Sequence, residues 1–219
     1  MGNSQSFNVN APLLPCNPPV AAVDPRFIAQ RETTLLLKEK IMSFSGDDFS
    51  IKEVQTGQPY FKVDGRNFSL RQKKQFLDAY GVPVFNMKKK LLKLVSTQNI
   101  YKADSSDEKL FVIESTFTFM KPKIFVVFND LVTGEQCEVG LKGNWIARQC
   151  VLWIDRGRRG KDNQQIIGYI HSEWAEARNL LFDKQTYFLR IAPGVDMALM
   201  VAICVALDEK AHENQNSAI

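Results

Sequence analysis

The sequence lacks the residue patterns of metal centres and of secreted disulfide frameworks. Its four cysteines, Cys16, Cys137, Cys150 and Cys204, lie far apart, no two form a Cys-x-x-Cys pair, and there are only two histidines. Both kinds of site need such residues at close spacing, so we expect free thiols in a reducing compartment, no metal and no other cofactor. No basic stretch followed by an apolar one stands at the N-terminus, and we therefore expect a cytoplasmic protein.

Patterns that indicate catalysis are also missing. His171 lies in a predicted strand and His212 in a polar segment, and neither has a nucleophile signature near it in the sequence. The glycines do not have the spacing of a phosphate-binding loop. The acidic segment 104–108 lacks the alternating ligands of a calcium loop and is typical of a hairpin turn. We expect a protein that is not an enzyme.

The chain has a nearly apolar C-terminal run, Val195–Leu207, that is too short to cross a bilayer. As a helix it would span roughly 20 Å, whereas a membrane span needs about 20 apolar residues. A helix that is apolar on every side must be surrounded by protein. We therefore predict a buried central helix, whose core side chains are Met197, Leu199, Met200, Val201, Ile203, Val205 and Leu207.

The segments before this run predict strands. They are short, rich in β-branched and aromatic residues, and separated by turn signals, as at Gln55–Gln58 and Ala79–Gly81. Only Arg31–Phe44 and Glu173–Phe182 are candidate helices there. Barrels of eleven strands can hold a central helix. The sequence therefore predicts a mainly β fold, a closed antiparallel barrel of about twelve strands around the buried C-terminal hydrophobic helix.

Composition suggests three regions. Residues 1–24 are rich in proline and poor in charge, which is typical of a disordered N-terminal arm; residues 25–210 form the barrel domain, and 211–219 a polar tail. The chain begins with the N-myristoylation pattern, with Gly2 after the initiator Met and Ser6 four residues later. Gly2 is therefore a lipidation candidate. Cys16 could add a second lipid anchor or be a plain free thiol.

Positive charge is concentrated in the domain, where residues 38–207 carry a net charge of +6. Basic clusters of this kind attract anionic lipid headgroups; they are also consistent with solvated turn charges or with charges that keep strands from pairing edge to edge. No nucleic acid is expected, because no exposed aromatic residues for base stacking alternate with these charges. The headgroup candidates are Arg71, Lys73, Lys74, Lys88, Lys89, Lys90, Lys93, Lys121, Lys123, Arg156, Arg158, Arg159 and Lys161.

Several segments of the chain form an ordered set: 23–27, 49–51 with Gly57, 61–63, 78–84, 139–145 and, above all, 192–199, which leads into the apolar run. In these segments the chain resembles the LURP-one-related proteins, within the Tubby-like and phospholipid-scramblase-like superfamily. This resemblance implies a twelve-stranded barrel around a C-terminal helix and a non-enzymatic role, with phosphoinositide binding known for some relatives. The His and Trp that usually follow the mid-domain Ser are absent from Ser96–Tyr101.

Together these features predict a monomeric, membrane-associated binding module, peripheral at a membrane such as the plasma membrane. Its basic loops would contact anionic phospholipids, including phosphoinositides, with an N-myristoyl group as a second attachment. The alternative is a soluble adaptor of the same fold that binds a protein partner. Scramblase-like activity follows from the superfamily alone, and the apolar run is too short to supply the span it would need.

We expect a charge in the apolar run to unfold the domain rather than release it from a membrane. Leu199→Lys would place an unpaired charge in the core and lower the free energy of unfolding by more than about 4 kcal/mol. Urea denaturation followed by circular dichroism measures this. Gln215→Lys, in the polar tail, is the control and should leave the midpoint unchanged; a folded Leu199→Lys variant would contradict an enclosed helix.

Overall fold

The barrel is built from twelve antiparallel strands. The computed structural model describes residues 11–38, 49–63, 73–90, 96–118, 121–172 and 186–216. Each strand pairs with its neighbour in the chain, and the first pairs with the last, which closes the sheet. The prediction of a closed barrel around a C-terminal hydrophobic helix is confirmed. The elements are β1 (Thr33–Lys38), β2 (Phe49–Glu53), β3 (Pro59–Val63), β4 (Lys73–Asp78), β5 (Pro83–Lys90), β6 (Ser96–Lys102), β7 (Lys109–Thr118), β8 (Lys121–Asn129), β9 (Gln136–Asn144), β10 (Gln149–Arg156), β11 (Gln164–His171), β12 (Thr186–Ile191) and the helix α1 (Met197–Asn216).

Strand alternation divides the side chains between the interior and the outer surface. On β7, Phe111 and Ile113 are buried, whereas Glu114, the next residue, is exposed. The interior side chains pack around α1, whose residues 197–207 are at most 4% exposed. Each buried side chain of leucine size stabilises the fold by about 1.5–3 kcal/mol relative to an exposed one, so enclosure of α1 dominates the packing.

The two ends of the barrel differ. At one end, which we call the cap end, the even-numbered strands finish and α1 begins, directly after β12. At the other, the exit end, α1 passes Leu207 and reaches the first residues of β4 and β12. The helix candidate Arg31–Phe44 is wrong for its described part, because 33–38 pair as β1 with both β2 and β12. Residues 39–44 and the helix candidate Glu173–Phe182 lie outside the described residues.

Residues 11–29 close the cap end, and we call this segment the N-terminal cap. Its backbone binds the turn before α1: Cys16 N–H donates to the carbonyl of Pro193 at 2.8 Å, and Val20 N–H to that of Gly194 at 2.8 Å. Gly194 has φ +83°, and a Cβ there would lie 2.2 Å from the carbonyl oxygen of Cys16. The prediction of a disordered arm is therefore wrong for residues 11–24, because their prolines alternate with buried side chains, including Leu13 and Val20; residues 1–10 lie outside the described residues.

The carboxylate of Asp196 joins the N-terminal cap to α1. One oxygen accepts hydrogen bonds from the N–H groups of Ala198 at 2.8 Å and Leu199 at 3.4 Å, as an N-cap does. The other accepts from Ala22 at 3.1 Å, Val23 at 2.8 Å and Asp24 at 3.2 Å. The side chain is fully buried, and these five backbone N–H groups satisfy its two oxygens.

A polar cluster surrounds α1 at the exit end. Asp208 is buried and accepts hydrogen bonds from Arg148 Nη2 at 2.8 Å and from the hydroxyl of Tyr187 at 2.7 Å. The Arg148 guanidinium also lies 4.2 Å from the ring centres of Trp145 and Tyr187. The ion pair with Arg148 satisfies the buried carboxylate of Asp208, which therefore stays inside the barrel. The helix also continues into the predicted polar tail, through Asn216.

Asp196 should make stability depend on pH in a defined direction. Burial raises the pKa of Asp196 from 3.8 to about 6, although the backbone N–H groups of Val23, Ala22, Asp24 and Ala198 act in the opposite direction. Because the pKa of Asp196 is higher in the folded than in the unfolded protein, protonation of this carboxyl group stabilises the fold. This contribution to the free energy of unfolding is complete below about pH 3.8 and is lost as the pH rises through about 6. We therefore expect the free energy of unfolding of the wild type, relative to that of Asp196→Asn, to fall by up to about 3 kcal/mol from the lower to the higher of these pH values.

Urea denaturation of both proteins across this pH range measures the difference in the free energy of unfolding. Asp162→Asn changes an exposed carboxylate far from α1 and is the matched control. A difference between wild type and Asp196→Asn that stays constant with pH would contradict the raised pKa.

Candidate functional site

Most of the basic residues singled out in the sequence lie in strands rather than in loops. Lys73 and Lys74 belong to β4, the run Lys88–Lys90 to β5, and Lys121 and Lys123 to β8. The prediction of basic loops is therefore wrong for these seven residues. Because a strand turns successive side chains to opposite faces, neighbouring lysines in one run cannot act as one patch.

Because side chains alternate between the two faces of a strand, some of the basic side chains point into the barrel. Lys74 is 9% exposed and forms an ion pair with Glu209 of α1, which also accepts a hydrogen bond from Gln98. Lys89 lies on the same face of β5 as the buried Met87. Lys74 is therefore not a headgroup ligand, because its ammonium group is bound inside the exit end of the barrel.

The outward lysines of β4 and β5 lie against an acidic turn. Lys73 Nζ donates to the carbonyl of Asp104 at 3.3 Å, and Lys88 Nζ to that of Ser106 at 3.5 Å. The Lys88 ammonium also lies 4.6 Å from the ring centre of Tyr101. Lys90 is exposed at the end of β5. This part of the surface therefore carries little net positive charge, because the adjoining turn carries the carboxylates of Asp104, Asp107 and Glu108.

The arginines at the end of β10 and in the loop after it are paired with acidic side chains. Arg156 is held by Asp130 at 3.4 Å, by Cys16 Sγ at 3.3 Å and by the carbonyl of Pro18. It therefore fastens the N-terminal cap to the barrel and is not a headgroup ligand. Arg158 pairs with Glu138 at 3.2 Å and Arg159 with Glu135 at 3.0 Å. Lys161 is exposed and has no ion-pair partner among the residues that the structure describes.

Of the remaining predicted site residues, Cys16 is buried and the others lie outside the described residues. Cys16 lies within the N-terminal cap as a free cysteine that is 2% exposed, which favours the plain free thiol of the two alternatives. Burial also raises the pKa of Cys137 to about 11 and that of Cys150 to about 12, which keeps both as thiols at neutral pH. Gly2, Arg71 and Lys93 lie outside the described residues.

One outer surface carries exposed lysines without acidic partners, and we call it the β8–β11 face. Lys123 of β8 and Lys142 of β9 are exposed and have no carboxylate partner among the described residues. Lys142 Nζ donates to the side-chain oxygen of Gln164 at 2.8 Å. The backbone of Lys121 lies at the start of the same strand as Lys123, two residues before it, and so on the same face.

Apolar side chains continue this face toward the cap end. Phe125 of β8 lies opposite Gly140 of β9, Gly140 opposite Trp153 of β10, and Trp153 opposite Ile166 of β11. Sequence reasoning missed Lys142, Phe125, Trp153 and Ile166, because they are distant in the chain and only the register brings them together. The alternation Lys121, Lys123, Phe125 was the one available signal for a shared face.

A cavity of about 240 Å³ lies beside the N-terminal cap. Its polar lining includes Arg26, Arg31 and Tyr60. Both arginines are already paired, Arg26 with Asp24 at 2.6 Å and Arg31 with Glu53 at 2.6 Å, so this cavity offers little net charge to an anion.

Within the described ranges, no group of three or more His, Cys, Asp or Glu side chains could hold a metal ion. In the same part of the chain, no helix combines the length and the apolar character that crossing a membrane requires.

Comparison with known proteins identifies the family. The LURP-one-related family model matches residues 33–208, which cover all twelve strands and the buried part of α1. The chain belongs to the LURP-one-related family. It is 27% identical to LURP-one-related 10 of Arabidopsis thaliana over 89% of this chain and 98% of that protein, and 24% identical to LURP-one-related 15 of the same plant over 88% and 87%.

The resemblance reaches beyond plants. The uncharacterized protein YxjI of Bacillus subtilis is 26% identical over 84% of this chain and 98% of its own length. A solved structure of an Arabidopsis thaliana protein matches with a TM-score of 0.59 at 21% identity, covering 88% of this chain and 98% of that one. At this identity the match supports the fold alone. The expected family is confirmed, and membership of the wider Tubby-like superfamily stays a prediction.

Proposed function

We propose that this LURP-one-related protein is a non-enzymatic module that binds anionic phospholipid headgroups at the cytoplasmic surface of a membrane. The observation that carries the proposal is the pair of exposed ammonium groups of Lys123 and Lys142, on neighbouring strands and without a carboxylate partner in the described part of the chain. The other basic groups with described partners are bound inside the barrel, paired with acids, or placed beside the acidic turn 104–108.

Electrostatics alone gives weak attachment. A lysine close to an anionic leaflet contributes about 1 kcal/mol, and the effect falls off within a Debye length. Two or three lysines therefore give only reversible binding. A myristoyl chain on Gly2 would be the second attachment, since one acyl chain by itself also binds marginally. The N-terminal cap fixes the start of the described chain on the barrel, where the carbonyl of Ala11 accepts from Arg190 Nη2 at 3.1 Å.

Neutralising the β8–β11 lysines should weaken binding to anionic vesicles. We expect Lys123→Ala with Lys142→Ala to reduce co-sedimentation with phosphatidylcholine vesicles that contain phosphatidylserine by about tenfold or more, following the loss of about 2 kcal/mol. Parallel vesicles that contain phosphatidylinositol bisphosphate instead separate a general charge effect from phosphoinositide preference.

The matched control is Lys88→Ala with Lys90→Ala, which removes the same charge from β5. We expect a smaller loss there, because the acidic turn 104–108 lies beside Lys88. Binding that ignores anionic lipid, or that depends equally on both pairs, would show that the β8–β11 face is not the headgroup site.

The N-terminal attachment can be tested by mass. We expect the protein purified from eukaryotic cells to lack Met1 and to carry a myristoyl group on Gly2, and the Gly2→Ala variant to lack that group and to lose membrane association in cell fractionation. Intact-mass spectrometry detects the modification directly. An unmodified or merely acetylated N-terminus would leave the basic face as the sole attachment.

A second candidate function, a protein-binding adaptor, is favoured by a different surface. The hairpin tips at the cap end expose large apolar side chains, with Tyr80 93% exposed on the β4–β5 hairpin and Leu131 51% exposed on the β8–β9 hairpin. Exposed apolar residues on rigid hairpins are typical of protein contacts. Substitution of Tyr80 should impair a protein complex and leave vesicle binding unchanged, which separates the two functions.

A further inference from the structure

The apolar part of the β8–β11 face is a continuous row across four strands. Phe125 is 42% exposed and Ile166 39% exposed, and the partly exposed Trp153 lies between them in the register. Neighbouring strands are about 4.8 Å apart, so the three side chains form one strip rather than scattered exposed residues. The strip lies on the outer surface of the sheet and does not contribute to the packing around α1.

A glycine makes room for the central side chain of the strip. A Cβ at Gly140 would lie 2.1 Å from Cζ2 of Trp153, so the indole packs directly against the backbone of β9. The missing side chain lets the indole reach across β9 toward Phe125. Lys142 Nζ, 5.7 Å from the centre of the Trp153 ring, also holds the indole in place. A rigid aromatic surface loses little conformational freedom when it binds.

Cations flank the strip on two sides. Toward the exit end lie the ammonium groups of Lys123 and Lys142, and toward the cap end the Arg158 guanidinium lies 5.7 Å from the centre of the Phe125 ring. The Arg158 charge is balanced by Glu138 at 3.2 Å. An exposed carboxylate beside the strip is that of Glu114 on β7, opposite Phe125, and it marks the edge of the surface.

We infer that the β8–β11 face enters the interfacial layer of an anionic bilayer, with Phe125, Trp153 and Ile166 among the upper acyl chains and Lys123 and Lys142 at the headgroups. This inference rests on the proposed function and adds the mode of binding. Aromatic and aliphatic side chains next to lysines match an interface that is apolar on one side and anionic on the other. The face is a convex sheet surface and not a groove, which favours a bilayer over an acidic peptide.

Removing the apolar side chains should weaken binding without changing any charge. We expect Phe125→Ser with Ile166→Ser, in the full chain, to lower binding to phosphatidylserine-containing vesicles about tenfold. The effect should persist in about 1 M salt, where the Debye length is ~3 Å and headgroup attraction is screened. Tyr80→Ser is the matched control, since Tyr80 is an exposed aromatic residue at the cap end, and it should bind as the wild type does.

Two further variants test the arrangement of the strip. Gly140→Ala should displace the indole of Trp153 and reduce binding while leaving Phe125, Ile166 and all charges in place. Glu114→Gln should strengthen binding to anionic vesicles, because it removes the carboxylate at the edge of the strip. Thermal unfolding of each variant establishes that its fold is intact; if Gly140→Ala does not fold, the Phe125 and Ile166 variant still decides the question.

Fluorescence reports the position of Trp153 directly. Lipids brominated near the headgroup end of the acyl chain should quench part of the tryptophan emission on binding, and Trp153→Phe should remove that quenched part. Quenching that persists in Trp153→Phe, or that is absent in the wild type while vesicles are bound, would overturn the inference.

The lysine variants and the apolar variants together distinguish insertion of the strip from headgroup binding alone. Vesicle binding that depends on Lys123 and Lys142 but not on Phe125 or Ile166 overturns insertion and leaves headgroup binding standing. A complete lack of binding to anionic vesicles overturns both. Binding that falls in both sets of variants, with quenching from Trp153, supports both. Binding of an acidic peptide to this face in the absence of any vesicle binding would also overturn insertion.

Discussion

One buried carboxylate connects the two ends of the chain. Asp196 satisfies the first N–H groups of α1 and, with its other oxygen, three successive N–H groups of the N-terminal cap. A carboxylate in a fully enclosed position is costly unless its hydrogen bonds are complete, and here five backbone groups provide them. The same side chain thus fixes where the helix begins and how the cap lies over it. Further backbone contacts, such as those from Cys16 to Pro193 and from Val20 to Gly194, fasten the cap beside it.

Some basic side chains of the barrel form ion pairs that stabilise the fold, and others remain exposed for binding. Lys74, Arg148 and Arg156 are among its basic residues, yet each is bound by an acid of the fold, inside the exit end or beneath the N-terminal cap. The number of basic residues in the sequence therefore overstates the basic surface. What remains exposed and unopposed on the β8–β11 face is a pair of lysines, Lys123 and Lys142, next to an apolar strip, and it is their position rather than their number that makes the surface distinctive.

The sequence predicted the architecture because that depends on one dominant constraint: the apolar run Val195–Leu207 must be enclosed, and most of the segments before it have strand patterns. The candidate site depends on the exact strand limits and on the register between strands. Strand limits decided whether Lys88 and Lys123 were loop or sheet residues, and a one-residue change of register exchanges inside and outside, so the burial of Lys74 could not be read from its neighbours. The cap was mistaken for disorder because proline suits both an extended segment and an unfolded one. Phe125 and Ile166 are far apart in the chain, and only strand pairing relates them.

The position of α1 has a consequence for folding. The helix that fills the barrel follows all twelve described strands, while β1, which must pair with β12 to close the sheet, is the first of them. Folding dominated by contacts so distant in sequence is slow, and partly folded chains with unpaired strand edges are prone to aggregate. Until α1 has joined them, the strands have no filled interior to pack against.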